Sequence, residues 1–392
     1  MSTGPSSTGP LSAGAPGAAS FVEPAYGSRS LGDVVPAVSA ALGTGPVNPG
    51  PTGLVLPPAP AYVVFLVDGL GQELLTRYAH AAPYLASLLA DPHNAAGTAG
   101  VPSTTATSLT SLGTALLPGQ HGLVGFTARI PGTDKLLNHL QWDKSVDPTQ
   151  WQPHPTAFAA LAAAGVHVTA VNKREFVSSG LTVAAHRGAA YIGADKVGER
   201  IAAAVSASAH TPSLTYVYDG DLDWTGHRFG VASAAWLQQL AMIDAAAEQL
   251  RESLPRSTRL LVLADHGMVD SPPGSRVDVD EVLVLRDGVA LLGGEARFRH
   301  LYCRPGAVDD VAATWRAVLG DRALVRTRDE VVASGWLGPV EAAVLPRLGD
   351  VMVACHGDHA VVSTHDFEYE NKLVGLHGSL TPDEMLIPLL VD

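Results

Sequence analysis

Three apolar runs in this chain each end on acidic residues. YVVFLV ends at Asp68-Gly69, LTYVY leads into DGDLDWTGH, and RLLVLA leads into Asp265-His266-Gly267. A single Asp after a strand is often a turn former or a helix cap. Three such ends, two of them carrying a histidine, call for another explanation. Carboxylate oxygens and imidazole nitrogens are the donors that divalent ions such as zinc or manganese accept. Carboxylates crowded together without a cation would repel, and some would have to stay protonated. A two-metal site is suited to phosphoryl transfer, where one ion activates a nucleophile and the other steadies the leaving oxygen.

A candidate nucleophile lies in VPSTTATSLTSLGTALLPGQHG, where hydroxyls cluster ahead of an apolar helical stripe of Leu109, Leu112 and Leu116. Ser and Thr are favoured helix caps in any case. They also place a hydroxyl where free amides and the helix dipole attract an anion. Spacing alone does not choose among Ser103, Thr104, Thr105, Thr107 and Ser108.

These residues need a scaffold that brings distant segments together. AYVVFLV, HVTAV, LTYVY and RLLVLA read as buried strands. APYLASLLA, PTAFAALAAAG and the long segment from Val231 to Leu254 read as helices. Continuous apolar strands alternating with helices predict an α/β fold, a central mainly parallel sheet sandwiched by helices. Ligands in such sheets bind at the carboxyl ends of the strands, so the three acidic ends are expected to converge. Ser30 to Gly43 reads as a short helix despite Pro36. Residues 1–25, rich in Ser, Gly, Pro and Ala, read as a disordered tail. The rhythm breaks between about 280 and 350, where ARFRHLYC, VDDVAATWRAVLG and ALVRTRDEVVASG suggest a strand–helix–strand insertion. The expected organisation is a catalytic domain of residues 26–280 plus 350–392 and an inserted cap of 281–349. VMVAC, HAVVS and IPLLV are expected to return to the main sheet.

Bulk properties narrow the function classes. The chain of 392 residues is 46% hydrophobic and 16% charged, with a formal net charge of -13. Broad binding to nucleic-acid polymers would need a basic face, but a small anion remains possible if metals supply positive charge. Two cysteines make no disulfide framework. No basic n-region with an apolar core opens the sequence, and no apolar run approaches a membrane span. A soluble cytoplasmic protein, monomer or weak dimer, with no membrane partner is expected.

In its ordered motifs — Asp68, PSTTATS, DWTGH, ADHGM and GLHGS — the chain resembles the alkaline phosphatase superfamily. The resemblance runs from about residue 60 to the C-terminus, outside most of the insertion. It is closest to the nucleotide pyrophosphatase/phosphodiesterase and phosphonoacetate hydrolase branch. That branch carries P-[ST]-x-T with the last Thr as nucleophile, which implies Thr105. The resemblance further implies one ion held by Asp68, Thr105, Asp265 and His266, and a second held by Asp223, His227 and His377. The branch has an Asn three residues after the nucleophile that helps hold a phosphate oxygen. Ser108 stands there in this chain, with Thr107 beside it, and either is expected to substitute. The sulfatase signature is absent.

More narrowly, VPSTTATSLTSLGT and GLVGFT resemble the actinobacterial cyclic-di-AMP phosphodiesterases. That likeness implies hydrolysis of cyclic di-AMP through linear pApA to AMP, with manganese or zinc. The expected course is in-line attack by Thr105, a phosphothreonyl intermediate, and its hydrolysis with overall retention. Other readings are a nucleotide pyrophosphatase, a phosphonoacetate hydrolase and a non-catalytic nucleotide sensor.

Other residues carry weaker signals. Asn172 and Lys173, with Arg174, follow HVTAV at the crevice end of the sheet and could meet phosphate. Asp219 and Asp221 read as solvated loop acids and His121 as structural. Cys355, His356, Asp358 and His359 lack a partner pair elsewhere and are not read as a zinc site. Phe126, Tyr218, Trp224 and Phe229 could each stack on a base, but core packing is the expected role for each.

Overall fold

The computed structural model describes residues 21–47, 52–91 and 94–392. A six-stranded sheet lies at its centre. Its order is Leu389–Val391, Thr258–Leu263, Ala61–Val67, Ser213–Asp219, His167–Asn172 and Ala190–Gly193. All neighbours are parallel except the terminal strand, which runs antiparallel to Thr258–Leu263. Every residue of Ala61–Val67 is buried, as expected for a strand covered on both faces. Register aligns the strand ends: Val67 pairs with Asp219, and Leu66 with both Tyr218 and Leu263. Asp68, the Ser213–Asp219 end and Asp265 are therefore brought to one edge. The fold is the expected α/β sandwich.

Helices cover both faces. Val34–Leu42 forms with Pro36 in its first turn, a position that proline tolerates. Ala234–Ser253 is capped by Ser233, whose side chain accepts from the Trp236 amide. No helix among the described residues is long and apolar enough to cross a membrane. Residues 21–25 correct the expected tail. Phe21 stacks on His356 at 4.1 Å, and the Val22 amide donates to the Leu380 carbonyl at 2.8 Å. The rest of that tail lies outside the described residues.

A second, antiparallel sheet is built in the order Val289–Glu295, Phe298–Cys303, Val351–Cys355 and Ala323–Thr327. Helix Val308–Leu319 packs its Val311, Trp315 and Leu319 into a core separate from that of the main sheet. Two strand placements differ from expectation. VMVAC does not return to the main sheet but lies between Phe298–Cys303 and Ala323–Thr327. The Ala360–Val362 strand pairs instead with Arg276–Asp278. An apolar run shows that a strand is buried, not which sheet buries it. A boundary at residue 349 would cut this second sheet.

Candidate active site

Each chemical group is placed by its local fold. Asp68 and Asp265 sit just past the ends of neighbouring parallel strands. Gly69 (φ 75°) turns the chain there, and a Cβ at this position would come within 3.0 Å of the Asp223 side chain. Its amide donates to Asp265 Oδ1 at 3.2 Å. Asp223 and His227 lie one turn apart on helix Asp221–Phe229, so both face the same side. His377 follows the short strand Gly375–Leu376.

Two clusters result. Asp68, Asp265 and His266 are all buried; Asp223, His227 and His377 are half-buried. In each, the candidate ligand atoms lie within 4.8 Å of one another. His266 Nε2 lies 3.4 Å from Asp68 Oδ1 and 3.4 Å from Asp265 Oδ2. His227 Nε2 lies 3.3 Å from Asp223 Oδ2 and 3.3 Å from His377 Nε2. The His266 and His377 rings stack at 3.7 Å, joining the clusters. Thr105 opens helix Thr105–Thr114, and its hydroxyl lies 3.2 Å from His266 Nε2.

The histidines are oriented from behind. His266 Nδ1 meets the Gly267 carbonyl at 2.9 Å, His227 Nδ1 the Gly375 carbonyl at 2.7 Å, and His377 Nδ1 the Ser103 carbonyl at 3.0 Å. A carbonyl only accepts, so a proton sits on each Nδ1 and each Nε2 is turned toward the site. Asp68 Oδ1, Asp223 Oδ1 and Asp265 Oδ2 are buried without a hydrogen-bond partner. Burial raises the Asp68 carboxyl well above the usual range, and the charges of Asp265 and Asp223 raise it further. Burial likewise raises Asp223 and Asp265. It lowers His266 and His377, the latter further pushed down by its two neighbouring histidines. Orphaned carboxylate oxygens, unprotonated imidazoles and mutual repulsion are what a cation would relieve. This donor set therefore fits two divalent ions.

The other predicted contacts divide. Asn172 and Lys173 line a cavity of about 420 Å³ that also includes Asp68, Thr105 and Asp223. Lys173 Nζ is paired with Asp221 Oδ1 at 2.8 Å, whereas Arg174 is held away by Asp195 and Glu199. Ser108 and Thr107 are corrections. Both are buried, Ser108 donating to the Asp265 carbonyl at 2.8 Å and Thr107 to the Leu123 carbonyl at 2.9 Å. Neither hydroxyl proton is free for a phosphate. Asp219 is not solvated either, since it forms a buried ion pair with Arg200 at 2.6 Å. Trp224 and Phe229 are exposed rather than packed in the core. His121 is buried against Ser111 and the Leu123 amide, a structural arrangement.

Sequence reasoning missed three supports. Tyr218 donates to Asp68 Oδ2; alternation along its strand marks it only as a core candidate. Arg297 holds Glu384 through two 2.7 Å bonds, and Glu384 accepts the Ser379 amide at 3.0 Å, fixing the turn that carries His377. Glu295 is buried, and burial pushes its carboxyl up to about 8. No local motif marks either residue.

The fold and this constellation define a hydrolase of the alkaline phosphatase type. Residues 62–380 match the family model for type I phosphodiesterase / nucleotide pyrophosphatase; the chain belongs to that family and is a phosphoric diester hydrolase. A search of curated proteins finds no significant match. Among solved structures, murine ectonucleotide pyrophosphatase / phosphodiesterase 5, an inactive form in complex with AMP, superposes with a TM-score of 0.66 at 15% identity over 84% of this chain and 87% of that one. Its human counterpart gives 0.63 at 16% identity with the same coverages. Phosphonoacetate hydrolase from Sinorhizobium meliloti, in complex with phosphonoformate, gives 0.63 at 17% identity over 85% and 90%. These likenesses establish the shared fold.

Proposed function

We propose that this enzyme hydrolyses a small phosphodiester with Thr105 as nucleophile, and that cyclic di-AMP, cleaved through pApA to AMP, is its substrate. The observation that carries the chemistry is the placement of one threonine hydroxyl at a helix N-terminus, 3.2 Å from His266 Nε2, among two separate acid–histidine clusters. Asp68, Asp265, His266 and Thr105 would hold one manganese or zinc ion; Asp223, His227 and His377 would hold the other. When bound, such ions supply positive charge to the phosphate oxygens and lower the pKa of a coordinated hydroxyl. The chain itself orients Thr105 on the first turn of its helix, where free amides favour an anion. It turns each imidazole Nε2 toward the site and lets Tyr218 fix the Asp68 carboxylate.

Support for a nucleotide is the AMP held by the murine structural neighbour and the cavity containing Asn172, Lys173 and Trp224. We read the second sheet as an inserted cap beside the catalytic domain, and the protein as a cytoplasmic monomer or weak dimer. The test is metal-supplemented hydrolysis of cyclic and linear dinucleotides, nucleotide sugars, phosphonoacetate and monoesters, with products identified by mass. Cyclic di-AMP and pApA should lead the panel. A monoester or phosphonoacetate outpacing every diester would sink the assignment.

A further inference from the structure

The reacting centre opens into two cavities. The first, of about 420 Å³, contains Lys173, Asn172, Phe176, Tyr218 and Trp224. The second, of about 270 Å³, contains Phe126, Glu295, Tyr369, Leu373 and Leu376. Both are bordered by Thr105, Leu140, Asp223 and His227, so they meet at the candidate nucleophile and the outer cluster.

Their chemistry differs. The first offers a lysine ammonium and an amide. The second has two aromatic rings, Phe126 and Tyr369, with centroids 5.9 Å apart and planes tilted by 57°. It also borders Glu370, which is ion-paired with Arg299. Between these groups Glu295 is buried with half its hydrogen-bonding capacity unused. Its Oε2 accepts the Phe126 amide at 2.5 Å, whereas Oε1 has no partner. A buried carboxyl oxygen without a partner is costly. Gly378 leaves it room, because a Cβ there would fall within 3.0 Å of Oε1.

We propose that the Phe126–Tyr369–Glu295 cavity binds the second organic arm of the diester, a flat heteroaromatic ring bearing N–H groups, and that Glu295 reads its polar edge. This rests on the phosphodiesterase reading above. Aromatic walls suit the faces of such a ring, and the free Glu295 oxygen suits an edge carrying both N–H groups and ring nitrogens, accepting as carboxylate and donating as the acid. Two acidic side chains with no unpaired cation make the cavity unsuited to a further phosphate. Lys173, on the other side, is itself paired with Asp221, so a phosphate there would have to displace that pair. The ring is thus placed on the Phe126 side of phosphorus.

The test compares bis(p-nitrophenyl) phosphate and pApA with methyl p-nitrophenyl phosphate, whose second arm is a methyl group. The readout is the ratio of kcat/KM for each two-armed diester to that for the methyl ester. Tyr369→Ala should lower both ratios about tenfold, the size of a lost aromatic stack. Glu295→Leu should lower the ratio for pApA more than that for the nitrophenyl diester, which carries no N–H edge. Glu295→Gln, which can still accept the Phe126 amide, should restore part of the loss. Met242→Ala, on the exposed face of helix Ala234–Ser253, should leave the ratios at the wild-type value. Ratios unchanged in Tyr369→Ala and Glu295→Leu, or equal losses on all three esters, overturn the inference while leaving the phosphodiesterase reading intact. A wild-type enzyme inactive on all three esters overturns both.

Discussion

The two acid–histidine clusters stand side by side yet are built differently. Asp68, Asp265 and His266 hang from strand ends inside the protein, where Asp265 and His266 have no exposed surface. Asp223 and His227 sit on a helix turn, His377 sits just past a short strand, and all three remain partly open. The inner cluster adjoins Thr105 and is braced by Tyr218; the outer borders both cavities. Depth favours fixed geometry but leaves carboxylates uncompensated without a cation. Openness allows exchange with solvent and with the arms of a substrate.

The sharpest way to break this contrast is at the inner cluster. Thr105→Ala and Asp265→Asn should each reduce turnover on the order of 10³-fold or more, and excess metal should not rescue either. Residual turnover above a tenth of wild type would remove them from the reaction. At the outer cluster, His227→Asn should act mainly on metal demand, moving the midpoint of a metal titration by roughly 10- to 100-fold, with partial recovery in excess ion. If both clusters respond alike to added metal, the difference in depth carries no functional weight. Tyr218→Phe keeps the ring and removes the bond to Asp68; metal affinity should fall about tenfold, with thermal stability little changed.

Smaller effects concern stability. Removing metal with a chelator should lower Tm by several degrees, and titrating the ion back should restore it in proportion to RT ln(1 + [L]/Kd). An unchanged Tm would mean that the orphaned carboxylates are relieved by protonation alone. Away from both clusters, four histidines are held neutral chiefly by burial: His121 and His300 near 3, His139 and His186 near 4. Their unfolded pKa is about 6.5, so between that value and about 4 the unfolded chain binds more protons. Stability from these groups is complete above about pH 6.5 and is lost as pH falls toward 4, with a slope of at most about 1.4 kcal/mol per pH unit for each histidine. A melt series at fixed metal concentration checks this; stability rising on acidification through that window would contradict it.

Sequence carried the main sheet because its strands are continuous apolar runs, and runs of that kind belong to strands buried on both faces. It also marked the acids and histidines, since the type of a metal-binding donor is visible without its coordinates. The resemblance, rather than spacing, singled out Thr105 and grouped His377 with Asp223 and His227, whose candidate ligand atoms lie within 4.8 Å of one another. What stayed hidden depends on long-range partners. Val351–Cys355 is as apolar as a main-sheet strand, yet antiparallel neighbours claim it. Ser108 and Thr107 look available until the Asp265 and Leu123 carbonyls are seen to accept from them. Asp219 looks solvated until Arg200 closes over it. Glu295 and Tyr218 belong to no motif, and only the fold reveals what they face.

The antiparallel strand Leu389–Val391 has a kinetic consequence. It borders the strand leading to Asp265, and the nearby His377 must meet Asp223 and the Ser103 carbonyl across long stretches of the sequence. Contacts of such separation form late, because loop closure costs entropy before any bond repays it. During refolding from denaturant, helical signal should therefore return ahead of turnover. A half-folded molecule would carry its threonine and its helices but no assembled centre, and so could not act on its substrate prematurely.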